Sequence, residues 1–281
     1  MRACEYGVEL FFCVSGYVMV QALSRAAGPW SFLRDRAVRI VPLLWVVVPV
    51  SLVSGMLSGR REVWSLPAEE IAAVGLANML ALQGLFPIWM FNPMTWSLSY
   101  EMLFYALCAS WLGLGWRGRG MGKVAIALAG GAILLFYPRG SPFVLGILVG
   151  LHHGEAPVEL ARRPGVMIAV FLLLWATVQA ITADGVLLIR TTMFDWSGDL
   201  RLPLAAAALC ALLFGFRGLA GGEGLLGRFL SGRAMQFLRT ISYSFYLWQN
   251  VAIGSSRRIL RVLIADDLGN PLVLAVHPVL A

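Results

Sequence analysis

Glu101 stands in the stretch NPMTWSLSYEMLFYAL, residues 92–107, where most neighbours are apolar or aromatic. A carboxylate at the centre of an apolar, membrane-type helix costs roughly 2.5–3.5 kcal/mol on insertion scales, so such a group usually faces a bundle interior and serves a function. Asn92 as N-cap followed by Pro93 predicts a helix start there, which sets Glu101 roughly 13 Å into the helix at about 1.5 Å per residue. Ser97 lies one turn before Glu101 and Phe104 and Tyr105 one turn after, so a hydroxyl, a carboxyl and aromatic surface share a face able to line a polar cavity. The competing reading is a protonated or arginine-paired carboxyl whose only work is to hold two helices together.

A second set of reactive groups is Arg34, Arg36 and Arg39 in FLRDRAVRIVP. Arg36 and Arg39, three apart at the start of a helix, can point the same way, and guanidinium groups suit phosphate. Anchoring to lipid headgroups is the commoner reading of such a cluster, and a phosphate-bearing cosubstrate the sharper one. In VELFFCVSGYVM, Glu9, Phe12, Cys13 and Gly16 fall along one helical face, a packing seam at which glycine admits a close neighbour. Ser15, next to Gly16, lacks the GxSxG setting of a nucleophile elbow. His152 and His153 stand beside Glu155 without HExxH spacing, so they mark an interface and no metal site is expected. Cys4, Cys13, Cys108 and Cys210 form no CxxC pair and read as small core residues, without disulfide or zinc.

The elements that must position these groups are set by composition. Of 281 residues, 59% are hydrophobic and 13% charged, with mean hydropathy +0.78. That balance excludes an ordinary soluble domain and predicts an all-α, polytopic transmembrane helix bundle in a single domain over 1–281. Apolar runs at about 6–23, 37–57, 68–86, 92–116, 121–137, 142–151, 165–189, 202–216 and 237–253, with a final run opening at 270, amount to about nine segments, one or two of them partial. The run at 68–86, interrupted by Asn78 and Gln83, is the least span-like. Pro42 and Pro49 fall inside the second run, as membrane helices allow. The net charge of +7 comes from arginines in connections between runs, which act as topology signals and lipid-phosphate contacts and exclude a nucleic-acid face. The Arg34–Arg39 loop is placed on the cytoplasmic side. No signal peptide and no repeat is visible.

Four stretches in order, VELFFCVSGYVM, FLRDRAVRIVPLLW, TWSLSYEMLFYAL and LRTISYSFYLWQN, resemble the acyltransferase 3 family of integral membrane O-acyltransferases and span residues 8–250. The resemblance implies transfer of an acyl group, commonly acetyl from acetyl-CoA, to a hydroxyl of a sugar or other carrier such as a cell-surface polysaccharide or secondary metabolite. It implies Glu101 as the functional carboxylate, and Arg36 and Arg39, with Arg34, as a basic element near the CoA phosphates. Ser15, Trp96, Ser97, Tyr105 and Tyr246 are then candidates for the substrate cavity. Acyl-CoA enters as cosubstrate, with no bound cofactor. The expected partners are acyl-CoA, the hydroxyl acceptor and the bilayer, and the expected location is the bacterial cytoplasmic (inner) membrane.

Two departures qualify that resemblance. Members of the family usually begin with one more helix bearing an Arg and the His expected as general base, and Gln249 stands where the late motif commonly has His. The chain is therefore expected to be a truncated version of a longer protein, or one with a mis-placed start, and nearly inactive alone. Two other classes compete: a proton-coupled transporter or lipid-linked glycan flippase with Glu101 and Asp184 as relay, and a non-catalytic relic acting as a partner subunit.

Overall fold

The computed structural model describes residues 7–57, 67–115, 120–137, 140–151, 163–182, 207–213, 215, 228–229 and 232–265. Among them there is no strand, and the all-α class expected from the sequence is what forms. The helices are α1 (Gly7–Arg25), α2 (Pro29–Leu57), α3 (Ala68–Met79), α4 (Trp96–Gly115), α5 (Gly120–Phe136), α6 (Ser141–Leu151), α7 (Pro164–Thr182) and α8 (Arg233–Ala265). A 3₁₀ turn, Pro93–Thr95, leads into α4. His152, His153, Glu155, Asp184, His277 and Cys4 lie outside the described residues.

The arginine-rich stretch expected as a loop is instead helical. Only Ala26–Gly28 separate α1 from α2, and Arg34, Arg36 and Arg39 ride on the first three turns of α2. The local chemistry explains the early start. Pro29 is pre-set for a first helical position, and the Gly28 carbonyl accepts from the Phe32 amide at 3.0 Å and the Ser31 hydroxyl at 2.9 Å. Pro42 and Pro49 stay inside α2, as the sequence suggested. The third apolar run also differs from expectation. Its helix stops after 12 residues at Met79, and the chain turns through Ala81, whose φ of 55° is left-handed. At 1.5 Å per residue α3 is about 18 Å long, short of a bilayer core of about 30 Å. Among the described helices one, Pro29–Leu57, is both long and apolar enough to cross a membrane. Shorter apolar helices cover Gly120–Leu134, Ser141–Leu151 and Pro164–Val178.

The chain groups into two compact units, 1–36 with 101–236, and 37–100 with 237–281. In the first unit α1 packs on α6 through glycines. A side chain on Gly16 would enter the Phe143 carbonyl, and one on Gly146 would enter the Cys13 carbonyl and lie 2.7 Å from the Tyr17 amide. One turn on, a Cβ at Gly150 would lie 2.8 Å from Val20. Small residues at this spacing let two helix backbones meet, as in membrane bundles. Around the seam lies a core of Cys13, Val149, Leu209 and Leu213, with Tyr17, Trp175 and Cys210 against it. Beside it Phe12 stacks on Phe143 at 4.4 Å, and Phe143 on Phe104 at 4.2 Å. Phe11, Val14, Val18, Leu148, Leu172 and Leu173 are exposed. Apolar side chains therefore cover the outward faces as well as the core, the pattern of a surface that meets lipid.

In the second unit the polar side chains tie loops to helices. The Trp45 indole of α2 donates to the Met79 carbonyl at the end of α3, at 3.2 Å. Asn78 binds the returning chain on both sides: its Nδ2 donates to the Val74 and Trp89 carbonyls, each at 2.8 Å, and its Oδ1 accepts from the Phe91 amide at 3.1 Å. Asn92 is wholly buried; it caps the 3₁₀ turn by accepting from the Met94 amide at 2.9 Å and donates to the Leu247 carbonyl of α8 at 3.0 Å.

The glycine seam makes two opposite expectations for one substitution type. Gly146→Ala should lower thermal stability in detergent by about 1–3 kcal/mol, because backbone atoms cannot yield to the added methyl. Gly131→Ala, with nothing within 4 Å of the new Cβ, should be neutral or raise stability by up to about 1 kcal/mol. Melting curves of the two variants check this, and equal stability would show that the seam does not constrain the helices.

Candidate active site

α4 presents Glu101, Phe104, Tyr105, Cys108 and Ala109 as one buried stripe, the i, i+3, i+4, i+7 spacing of a helix face. Glu101 is 4% exposed, yet it does not sit among hydrocarbon alone. The Tyr105 hydroxyl, one turn on, donates to Glu101 Oε1. The Ser15 hydroxyl of α1, also buried, engages the same phenol. Arg36, from the second turn of α2, lays its guanidinium over the ring of Tyr105 at 5.9 Å and over that of Phe32 at 5.6 Å. Phe32 meets Tyr105 edge-on, with centroids 6.2 Å apart and an interplanar angle of 89°.

This arrangement gives the cluster its electrostatics. A guanidinium over an aromatic face is attracted by the ring quadrupole, worth about 0.5–2 kcal/mol per contact, and Arg36 has two such faces. The Arg36 Nε is buried with no hydrogen-bond partner. Carboxyl, phenol and guanidinium thus meet at Tyr105, beside the rings of Phe32 and Phe104. Such a cluster can hold a negative oxygen, orient a hydroxyl and accept a proton.

The residues singled out in the sequence fall into three places. Ser15, Arg36, Glu101 and Tyr105 come together in the first unit. Arg34 and Arg39 are exposed on α2, so Arg36 does not share its buried setting with either. Trp96, Ser97 and Tyr246 lie in the second unit. There Tyr246 donates to the Met94 carbonyl at 3.0 Å and lies 3.1 Å from the Ser97 hydroxyl, itself 3.3 Å from that carbonyl. Gln249 donates to the Met94 sulfur at 3.0 Å, and Trp96 meets Tyr100 edge-to-face at 5.6 Å. Ser97 and Tyr246 therefore close the first turn of α4 onto α8. Phe32 was not anticipated; its signal was its place four residues before Arg36, on the same face of a helix that the sequence left as a loop. No group of three or more His, Cys, Asp or Glu able to hold a metal occurs among the described residues.

Among the described residues, then, all regular structure is helical, one helix is of membrane length, and a buried carboxyl is hydrogen-bonded by a phenol that lies beneath a guanidinium. The family model described as an acyltransferase domain matches residues 2–277, and the chain belongs to that acyltransferase family. It is 31% identical over 280 residues to the exopolysaccharide production protein ExoZ of Rhizobium meliloti (strain 1021), a match that covers 94% of this chain and 80% of that protein. No solved structure matches.

The phenol links the carboxyl to the cation, and its loss has a defined effect. Tyr105→Phe keeps the ring under Arg36 and against Phe32 but deletes the bond to Glu101, leaving a buried acceptor short of a donor. Stability in detergent should fall by about 1–3 kcal/mol. A melting temperature equal to that of the parent protein would show that the phenol is not what satisfies Glu101.

Proposed function

We propose that this protein is an integral membrane O-acyltransferase that moves an acyl group, acetyl from acetyl-CoA, to a hydroxyl of a cell-surface carbohydrate. The observation that carries the reading is the buried Glu101 carboxyl, hydrogen-bonded by Tyr105 beneath the Arg36 guanidinium, in a chain of an acyltransferase family. A polysaccharide acceptor is supported by the likeness to a protein named for exopolysaccharide production. The full bundle of about nine segments, seated in the bacterial cytoplasmic membrane, is part of the same reading.

In the reaction the acceptor hydroxyl oxygen attacks the thioester carbonyl carbon. The new C–O bond forms, the C–S bond breaks, and CoA leaves as the thiol once it has taken up the proton lost by the hydroxyl. Glu101 takes that proton, its carboxylate held by the Tyr105 hydroxyl. Arg36 meets negative charge, either on the donor phosphates or on the developing oxyanion. The exposed Arg34 and Arg39 lie where they reach donor phosphates or lipid headgroups. Ser97 and Tyr246 hold the start of α4 through the Met94 carbonyl.

Membranes from cells expressing this protein, given labelled acetyl-CoA, test this directly. Label should appear in polysaccharide as an alkali-labile ester and be absent from membranes without the gene. Label recovered only as free acetate, or none above that control, would remove the assignment.

A further inference from the structure

From Ile71 to Tyr100 the chain carries no charged residue, yet α3 stops at Met79 and α4 starts only at Trp96. The connection between them has the polarity of its faces reversed. Asn78 and Asn92 are wholly buried and Gln83 is 3% exposed, while the side chains that face outward are Leu80, Phe86, Pro87, Trp89 and Met90. A loop that runs over a protein surface in water turns its polar groups out, because water is what satisfies them. Here the protein satisfies the backbone instead. α3 ends in a Schellman turn, in which the Leu82 amide donates to the Ala77 carbonyl at 3.0 Å and the Ala81 amide to the Asn78 carbonyl at 3.1 Å, with Ala81 in the left-handed conformation of that motif. The next carbonyl of the helix end, that of Met79, accepts from the Trp45 indole. Asn78 serves the Val74 and Trp89 carbonyls and the Phe91 amide, the Ser99 hydroxyl accepts from the Gly84 amide, and the Leu85 and Phe86 amides both donate to the Leu82 carbonyl. A Cβ at Gly84 would enter the Trp96 carbonyl, so the loop backbone is pressed onto the first turn of α4.

The Trp45 bond fixes the depth at which this happens. α2 is about 43 Å long at 1.5 Å per residue, and Trp45 stands about 24 Å from Pro29 and about 18 Å from Leu57. A hydrocarbon layer of about 30 Å laid anywhere along that length contains Trp45. The last charged residue of α2, Arg39, is about 9 Å before it along the axis. The indole that lies at this depth holds the end of α3, and Trp45 is itself 54% exposed, beside the exposed Val46. Hydrocarbon offers no partner to a bare N–H or C=O, so irregular backbone is tolerated there only where protein closes it off, as it is between Met79 and Asn92.

We propose that α3 ends inside the hydrocarbon layer and that residues 80–90 form an intramembrane loop whose outer face, Leu80, Phe86, Trp89 and Met90, is covered by lipid acyl chains. Continuity selects that occupant. The exposed Trp45, Val46 and Val53 belong to the one described helix of membrane length, and the Trp45 indole joins their surface to the end of α3. The loop rests on the bilayer seating proposed above, and the experiment carries a separate control for that seating.

The protein is reconstituted in phosphatidylcholine vesicles with its native cysteines replaced by alanine, and a nitroxide is attached in turn through Phe86→Cys, Trp89→Cys, Val53→Cys and Arg34→Cys, all at exposed positions. Collision of each label with oxygen, which concentrates in hydrocarbon, is compared with collision with a water-soluble nickel chelate. The labels at 86 and 89 should give an oxygen-to-nickel ratio equal to that at 53 and well above that at 34. A ratio at 86 and 89 that falls to the value at 34, with 53 still high, would place the loop in water and overturn the proposal. Low collision with both reagents at 86 and 89 would show a protein neighbour in place of lipid and overturn it equally. A nickel-accessible label at 53 would remove the bilayer seating itself, and the loop with it. The parent protein gives a second reading without substitution. A phosphatidylcholine with a diazirine at the middle of its acyl chain, photolysed in the same vesicles, should label the peptide that carries Leu80 to Met90 as well as the Ile40 to Leu57 part of α2. Label in α2 alone would contradict the proposal.

Discussion

A carboxyl held 4% exposed inside an apolar helix is the constraint around which the first unit is arranged. An ionised carboxylate cannot be desolvated without compensation, and a neutral one still needs hydrogen bonds. The Tyr105 phenol of α4 donates a hydrogen bond to Glu101, and the Arg36 guanidinium of α2 lies over the ring of that same phenol. The contact of α1 with α6 then matters chemically as well as mechanically. Gly16, which must stay small for that contact, is the residue next to Ser15, so the seam constrains the backbone that carries that hydroxyl.

The second unit solves a different problem, that of starting α4 at a defined place. Asn92 caps the 3₁₀ turn and reaches α8, Ser97 and Tyr246 gather on the Met94 carbonyl, and Gly84 lies flat against Trp96. Each bond is local, and together they hold the first turn of α4 within the second unit.

Much of this was legible in the sequence because it rests on short-range rules. The Asn92–Pro93 start, the Glu101–Tyr105 spacing, the glycine seam at Gly16 and the interior Pro42 and Pro49 all follow from helix periodicity and capping. Other features depend on tertiary partners. That α2 begins at Pro29 depends on the Gly28 carbonyl bonds, which no periodicity announces. The separation of Arg36 from Arg39 arises because aromatic rings meet only one of them, and Phe32 could join the cluster only once that stretch was helical. The third apolar run was the least span-like in the sequence, but only the Asn78 bonds to Trp89 and Phe91 show the chain turning back after Met79. Of the two polar residues that weakened that run as a span, Asn78 is the one whose bonds shape the loop.

The claim that Glu101 is buried for chemistry rather than for cohesion is tested most directly by Glu101→Gln, measured twice on the same preparation. The substitution keeps the size and the accepting oxygen for Tyr105 and removes a charge from a desolvated place. The account predicts a melting temperature in detergent equal to or slightly above that of the parent protein, together with acetyl transfer from acetyl-CoA lowered by about 10²-fold to 10⁴-fold. Full transfer in a stable Glu101→Gln protein would contradict it. So would a loss of several kcal/mol of stability that accounts for the lost activity, the result expected if the carboxylate only anchors a partner cation.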